Sequence, residues 1–160
     1  MKLVTDAIFT SGRLRGFFDP RYTCDQDNSS PELRWSEEPE GTLGFALVAE
    51  DLSNAQTLWV VYQIPATVHH LPAGIPPQDA LPNGIRQGMN DQRKLGYSGP
   101  CPPSGEAPHR FRFRLFALGN LRAEIPARAT AQQLLATLNG SILAEAQVEG
   151  HYQRMLRETA

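Results

Sequence analysis

Short apolar segments separated by polar turns make up most of the hydrophobic pattern of this chain. Residues 45–49 form a continuous apolar run of strand length, and Leu33–Ser36 is a shorter strand candidate. Residues 58–64 combine β-branched and aromatic side chains and are followed by a proline, which predicts a central strand buried on both faces. Residues 110–118 and 146–152 alternate apolar and polar positions. The pattern therefore predicts a mainly β fold.

The alternation in residues 110–118 gives this strand two different faces. One face is apolar and is predicted to enter the core, and it consists of Phe111, Phe113, Leu115 and Ala117. The other face carries Arg110, Arg112, Arg114 and Phe116. We expect the second face to meet either solvent or a partner.

One helix is predicted late in the chain. Thr130 can cap it, Gln133 stands three residues later as in a capping box, and an apolar leucine stripe follows. Gly140 either ends this helix or interrupts it before residues 142–146. Many strands and one late helix predict a β-rich domain with peripheral helices.

Length and composition indicate one globular domain over residues 1–160, with 41% apolar and 20% charged residues. The formal net charge of −2 argues against a general nucleic-acid binder, which usually carries a strongly basic surface. The longest apolar runs are far too short to cross a bilayer, and the N-terminus lacks the apolar core of a secretion signal. We therefore expect a cytoplasmic protein with no nucleic-acid partner and no membrane span.

The most promising stretch for chemistry is residues 96–113, where a loop of glycines and prolines leads directly into the alternating strand. It closes a long connection, residues 65–108, of the kind that is often functional. Proline fixes φ and glycine reaches positive φ, so little additional conformational entropy is lost when the loop is held in one shape. It suits a fixed concavity of backbone groups with His109 anchored at its end. A structural loop with a surface histidine explains the same residues equally well.

Two cysteines, Cys24 and Cys101, are too few for a disulfide framework or a zinc site. Both lie in polar, turn-rich loops and could be neighbours in the fold. Their pairing is open from the sequence, although free thiols are the expectation in a reducing cytoplasm.

No metal site or cofactor is predicted. Asp25, Asp27 and Asn28 faintly resemble a calcium loop, but the required glycine and the distant glutamate are missing. The adjacent His69 and His70 would point to opposite sides of an extended chain, so solvated loop histidines are expected there.

Several motifs resemble the phosphatidylethanolamine-binding protein family, in its bacterial Raf-kinase-inhibitor-like branch. The matching segments follow the family's order through nearly the whole chain, at residues 22–25, 28–31, 59–65, 71–74, 87–91, 96–103, 109–113 and 150–154. The proline-rich loop followed by histidine, arginine and an aromatic residue makes the match specific.

This resemblance implies a large central β-sheet with a smaller second sheet and a few peripheral helices. It also implies a small pocket that holds anions such as phosphate, acetate or a phospholipid headgroup, beside a loop with a cis-proline. Carried over position by position, the ligand-binding residues are Asp51, Ser53, Gly99, Pro100, Cys101, Pro102, Pro103, His109 and Phe111.

The match to the family pocket is incomplete. Ser53 replaces a second acid, Leu58 stands where a histidine is expected, and Phe111 replaces a tyrosine. Fewer polar groups remain to orient a phosphate, and the wall is more apolar, so an unpaired charge there would be costly. We therefore expect weak phosphate binding, or a less polar ligand.

Three functions are compatible with these residues. The first is a non-catalytic protein that binds a small anionic or weakly polar ligand. The second is a homodimeric or otherwise interacting protein with a vestigial pocket, in which Arg110, Arg112 and Arg114 would face the partner. The third and least favoured is an enzyme with Cys101 as nucleophile and His109 as base, for which no orienting third residue is evident.

Overall fold

Two antiparallel sheets and one α-helix form the architecture of the part of the chain that the structure describes. The structure, a computed structural model, describes residues 1–121 and 124–155. In chain order the elements are β1 (Lys2–Thr5), β2 (Leu33–Ser36), β3 (Gly44–Asp51), β4 (Gln56–Pro65), β5 (His70–Leu71), β6 (Arg86–Gln87), β7 (His109–Leu118), α1 (Ala131–Leu138) and β8 (Ile142–Tyr152). Short 3₁₀ turns lie at Pro20–Tyr22 and Pro82–Gly84.

The larger sheet has five strands in the order β6-β4-β3-β7-β8, and the smaller has three in the order β1-β2-β5. The main core lies between the two sheets. The smaller sheet contributes Leu3, Leu33, Trp35 and Leu71, and the larger one contributes Phe45, Leu47, Trp59, Val61, Phe113 and Leu115. On the opposite face of the larger sheet, Leu134 and Leu138 of α1 pack on β3, β4 and β7. The predicted mainly β fold with two unequal sheets is confirmed.

β4 is buried on both faces from Leu58 to Tyr62, as predicted, because the core covers one face and α1 the other. Its predicted central place is wrong, since β3 occupies the middle of the sheet. β4 is bordered on its outer side only by the two-residue strand β6. The hydrophobic pattern indicates burial but not strand order.

The predicted helix and its N-terminal capping box are confirmed. The N–H of Gln133 donates to Oγ1 of Thr130 at 3.2 Å, and the N–H of Thr130 donates to Oε1 of Gln133 at 3.0 Å. The helix ends at Leu138, and Gly140 lies in the turn that leads into β8. Of the two roles considered for Gly140, termination is therefore the observed one.

β8 is the last strand of the larger sheet and pairs with β7 along its length. Near its end, His151 forms backbone hydrogen bonds with Gly16 and Phe18, which ties the N-terminal loop to this edge. Over residues 1–121 and 124–155, no helix is long and apolar enough to cross a membrane.

Candidate functional site

Asp51 and His109 form a close, largely buried pair at one end of the larger sheet. β3 ends at Asp51, and the antiparallel strand β7 begins beside it at His109. Oδ2 of Asp51 lies 2.7 Å from Nδ1 of His109, and the two side chains are only 6% and 13% exposed. Because a carboxylate can only accept, Nδ1 carries the proton and Nε2 is the nitrogen left to meet a ligand.

Ser53 fixes the turn that follows Asp51. Its N–H donates to Oδ1 of Asp51 at 2.8 Å, and its hydroxyl accepts from the N–H of Arg110 at 2.9 Å. Leu52 donates its N–H to the carbonyl of Arg110 at 2.8 Å. Both carboxylate oxygens of Asp51 therefore accept hydrogen bonds. Ser53 helps to orient Asp51, but it does not supply the second carboxylate that the resemblance implies at its position.

A second carboxylate, which the sequence did not indicate, borders the other side of the imidazole. Oε2 of Glu106 lies 3.5 Å from Nε2 of His109, and the Glu106 side chain is 57% exposed. Negative charge at this position opposes the binding of an anion at Nε2. A ligand anion would have to displace this exposed side chain.

The loop at residues 99–103 is anchored from the N-terminal part of the chain. The N–H of Gly99 donates to Oδ1 of Asn28 at 2.7 Å, and Cys24 donates to the carbonyl of Pro100 at 3.2 Å. A Cβ on Gly99 would lie 2.2 Å from the carbonyl oxygen of Tyr22, so only glycine permits this close packing.

Pro100 and Pro102 of this loop are buried, whereas Cys101 and Pro103 are exposed. The cis-proline implied by the family resemblance is not present, because every peptide bond in the described ranges is trans. Gly99, Pro100 and Pro102 therefore form the packed part of the loop, and Cys101 and Pro103 its outer surface.

Cys24 and Cys101 are joined in a disulfide that links two segments 77 residues apart. The expectation of free thiols is thus wrong for this structure, because the anchored loop brings the two sulfurs together. The guanidinium of Arg154 lies 3.7 Å from Sγ of Cys101. A disulfide sulfur has no thiolate form, so Cys101 is not a nucleophile in this state.

Phe111 and Leu58, which stand where the resemblance implies a tyrosine and a histidine, are both buried. Phe111 is 1% exposed, and its ring lies 6.3 Å from the ring of His109 and 5.7 Å from that of Phe18. Leu58 is 8% exposed and accepts a backbone hydrogen bond from Ser98. Phe111 thus lies near the imidazole, and neither residue offers a ligand a hydrogen bond from its side chain.

A further polar cluster, only partly buried and also missed from the sequence, lies next to His109 across the β7–β8 pairing. Tyr152 is opposite His109 in the β7–β8 register, and its hydroxyl donates to Oδ2 of Asp25 at 2.5 Å. Arg154 donates to Oδ1 of the same Asp25 at 3.0 Å. Burial raises the pKa of Tyr152, and the hydrogen bond with Asp25 adds to the rise. Asp25 therefore links Tyr152 and Arg154 at this end of the sheet.

The adjacent histidines are exposed and serve as surface partners of acids. Nε2 of His69 lies 2.8 Å from Oε1 of Glu38, and Nε2 of His70 lies 3.6 Å from Oε1 of Glu32. The hydrogen bond with His69 holds the pKa of Glu38 below its usual range. Among the described residues, no group of three or more His, Cys, Asp or Glu side chains could hold a metal ion.

The arginines of β7 are neutralised within their own sheet. Oε1 of Glu50 lies 2.8 Å from Nη2 of Arg112 and 2.7 Å from Nε of Arg114. Arg110 pairs with Glu149 of β8 at 2.8 Å. A partner would therefore find little unbalanced charge on this face.

Four surface cavities of about 470 to 560 Å³ lie elsewhere on the molecule, and neither Asp51 nor His109 lines any of these four.

This chain combines the strand order of its two sheets, the Asp51–His109 pair and the anchored loop at residues 99–103, and comparison with known proteins identifies the class to which it belongs. A family model described as phosphatidylethanolamine-binding protein matches residues 5–153. The chain belongs to the phosphatidylethanolamine-binding protein family.

Individual relatives support this assignment over nearly the whole chain. A UPF0098 protein of Methanothermobacter thermautotrophicus is 39% identical over 157 residues, which cover 96% of this chain and 99% of the relative. The crystal structure of Escherichia coli YbcL is similar with a TM-score of 0.83 and 30% identity, covering 95% of this chain and 97% of YbcL. CT736 of Chlamydia trachomatis is similar with a TM-score of 0.79 and 28% identity, covering 96% of this chain and 97% of CT736.

Proposed function

We propose that this chain is a non-catalytic protein that binds a small oxyanion at His109. Acetate, phosphate and a phospholipid headgroup share the required chemistry, which is an oxygen that accepts a hydrogen bond from the imidazole. The observation that carries the proposal is the buried Asp51–His109 pair, which fixes the ring and turns Nε2 outward. Protonated at both nitrogens, histidine donates from Nε2 while Asp51 holds Nδ1.

Weak binding follows from the groups around Nε2. Glu106 opposes an incoming anion, and Leu58 and Phe111 present no side-chain donors. One charge-assisted hydrogen bond with few supporting donors supplies little affinity, so we expect dissociation constants near the millimolar range.

The absence of catalysis is part of the proposal, and it is supported by the state of the candidate nucleophile Cys101 and of the hydroxyl of Ser53 near the pair. The sulfur of Cys101 is bonded to Cys24. The hydroxyl of Ser53 accepts from Arg110, and in the described part of the chain no hydrogen bond joins Ser53 to His109. Neither group is held against the imidazole as a nucleophile would have to be.

An NMR titration with acetate, inorganic phosphate and phosphoethanolamine tests this function. We expect saturable shifts of the His109 ring signals and of the neighbouring amides, and their loss in His109→Gln. His70→Gln is the matched control, because His70 is an exposed histidine on the smaller sheet. If about 10 mM of each ligand, well above the expected constant, leaves the His109 signals unmoved, anion binding at this site is excluded.

A further inference from the structure

A cleft of about 560 Å³ borders the same glycine–proline loop but contains neither Asp51 nor His109. It reaches the loop at Ser98 and at Asn28, the residue that anchors Gly99. Three cationic side chains line the cleft, from Arg93, Lys94 and Arg128, and none of its lining residues is acidic.

These three cations have no counter-charge. Within residues 1–121 and 124–155, none of them has a carboxylate within ion-pair distance, whereas the arginines of β7 are paired, as are Arg34, Arg86 and Arg154. Oδ2 of the neighbouring Asp91 accepts a hydrogen bond from the N–H of Thr57 at 2.8 Å. Asp91 does not line the cleft. In a chain with a net charge of −2, the cleft therefore concentrates unneutralised positive charge.

Arg93 and Lys94 are held on a rigid turn. The buried side chain of Asn90 accepts from the N–H groups of Gln92 and Lys94 at 2.9 and 3.2 Å, and donates to the carbonyl of Gly96 at 3.1 Å. Arg93 has a φ of +60°, a left-handed conformation that a residue with a Cβ rarely adopts. Such backbone persists where the surrounding structure imposes it and is frequent at ligand sites.

Arg128 comes from a distant segment that is held equally firmly. Its own φ is +54°, and the next residue, Ala129, is fully buried and accepts from the N–H of Met89 at 2.9 Å. Gly88 makes this approach possible, because a Cβ there would lie 2.0 Å from the carbonyl oxygen of Ala129. Two separate strained segments thus present cations to one cleft.

We infer that this cleft binds a small organic phosphate, with the phosphate group held by Arg93, Lys94 and Arg128. Three unpaired cations suit a phosphate monoester, which carries close to two negative charges at neutral pH, better than a singly charged carboxylate. The floor beside them is partly apolar, formed by Pro77, Met89, Leu95 and Tyr97. It accommodates a non-polar group attached to the phosphate. This site is separate from the proposed oxyanion site at His109.

A residue-resolved titration tests the inference, with phenyl phosphate as the probe and inorganic phosphate and benzoate as comparisons. We expect saturable shifts of the arginine Nε signals of Arg93 and Arg128, with phenyl phosphate binding several-fold more tightly than either comparison. The double variant Arg93→Gln/Arg128→Gln keeps the backbone and removes two charges, and it should weaken binding by about tenfold or more. Arg13→Gln/Arg15→Gln is the matched control, since both arginines are exposed and lie outside the cleft.

Three results would overturn the inference. Equal weakening in the control variant would show attraction to net charge alone. Equal affinity for inorganic and phenyl phosphate would show that the organic group of the ligand does not contribute to binding. Shifts confined to His109, with Arg93 and Arg128 unmoved, would place all binding at the other site.

Discussion

His109 lies between two carboxylates that differ greatly in their access to water. Asp51 is 6% exposed and fixes Nδ1, whereas Glu106 is 57% exposed and approaches Nε2 from solvent. The first orients the ring, and the second competes with any anion for it. Replacing each acid should therefore have opposite effects on ligand binding.

Glu106→Gln should raise the affinity for acetate by about two- to fivefold, because an exposed charge pair contributes roughly 0.5–1 kcal/mol. The NMR titration used for His109 measures this change directly. Glu40→Gln removes the same charge at another exposed position and should have no effect. Unchanged or weaker binding in Glu106→Gln would mean that Glu106 does not compete for Nε2.

Tyr97 links the loop to the N-terminal segment through a buried hydroxyl, which donates to the carbonyl of Tyr22 at 2.6 Å. Burial raises the pKa of Tyr97, and the neighbouring Tyr22 adds to the rise. An unfolded tyrosine loses its proton near pH ~10, whereas folded Tyr97 keeps it. The stability that Tyr97 contributes is thus fully present below pH ~10 and is lost as pH rises further.

Tyr97→Phe tests this pH dependence. At pH 8 the variant should unfold more easily by about 1–3 kcal/mol, since the Tyr22 carbonyl loses its partner. The difference from wild type should shrink as the pH rises toward about 11, because only the wild type has this proton to lose. Urea unfolding of both proteins at several pH values measures this difference in the free energy of unfolding. A difference that stays constant with pH would contradict the raised pKa of Tyr97.

The sequence identified only part of the site. Asp51 and His109, 58 residues apart, could be named from the order of family motifs, and the structure brings them into contact. Asn28, Glu106 and Tyr152 were missed as site residues. Their roles depend on contacts made after the sheet and the loop have assembled, and no local pattern records which distant atom a side chain will meet.

At the scale of elements, Glu50 organises the outer face of β7. Its Oε1 accepts from Arg112 and lies 2.7 Å from Nε of Arg114 in an ion pair, and all three side chains are only 18–24% exposed. The guanidinium of Arg114 also lies 5.2 Å from the ring centre of Phe116. The three charges form one partly buried unit that spans β3 and β7.

Glu50→Gln should lower the free energy of unfolding by about 1–2 kcal/mol, because it leaves two neighbouring, partly buried arginines without their shared anion. Glu149→Gln is the matched control, since its partner Arg110 is 57% exposed, and it should cost less than about 0.5 kcal/mol. Urea unfolding of both variants gives the comparison. Equal losses would show that burial does not strengthen the Glu50 unit.

Elements with a strong local signal were predictable, and their arrangement was not. The strand Leu33–Ser36 and the Thr130 capping box follow from side-chain alternation and cap chemistry, both of which act within a few residues. The central place of β3 depends on which strands pair, a choice among distant partners. The short strands β5 and β6 have two residues each, too few for any periodicity to show.

At the scale of the whole molecule, the Cys24–Cys101 bond closes a span of 77 residues. Cross-linking distant positions restricts the unfolded chain, so Cys24→Ser/Cys101→Ser should lose about 2–4 kcal/mol of stability. Thermal unfolding with and without dithiothreitol provides the check. The reductant should destabilise the wild type and leave the variant unchanged, and an unresponsive wild type would show that the thiols are not paired.

β8 also decides how copies of this protein behave when they meet in concentrated solution. An open edge strand is a template on which another chain can add, and such growth leads to aggregates. The exposed positions Glu145, Gln147 and Glu149 place two acids along this edge. A second copy aligned there would bring like charges together. The glutamates that balance the arginines of β7 therefore also discourage sheet-to-sheet polymerisation.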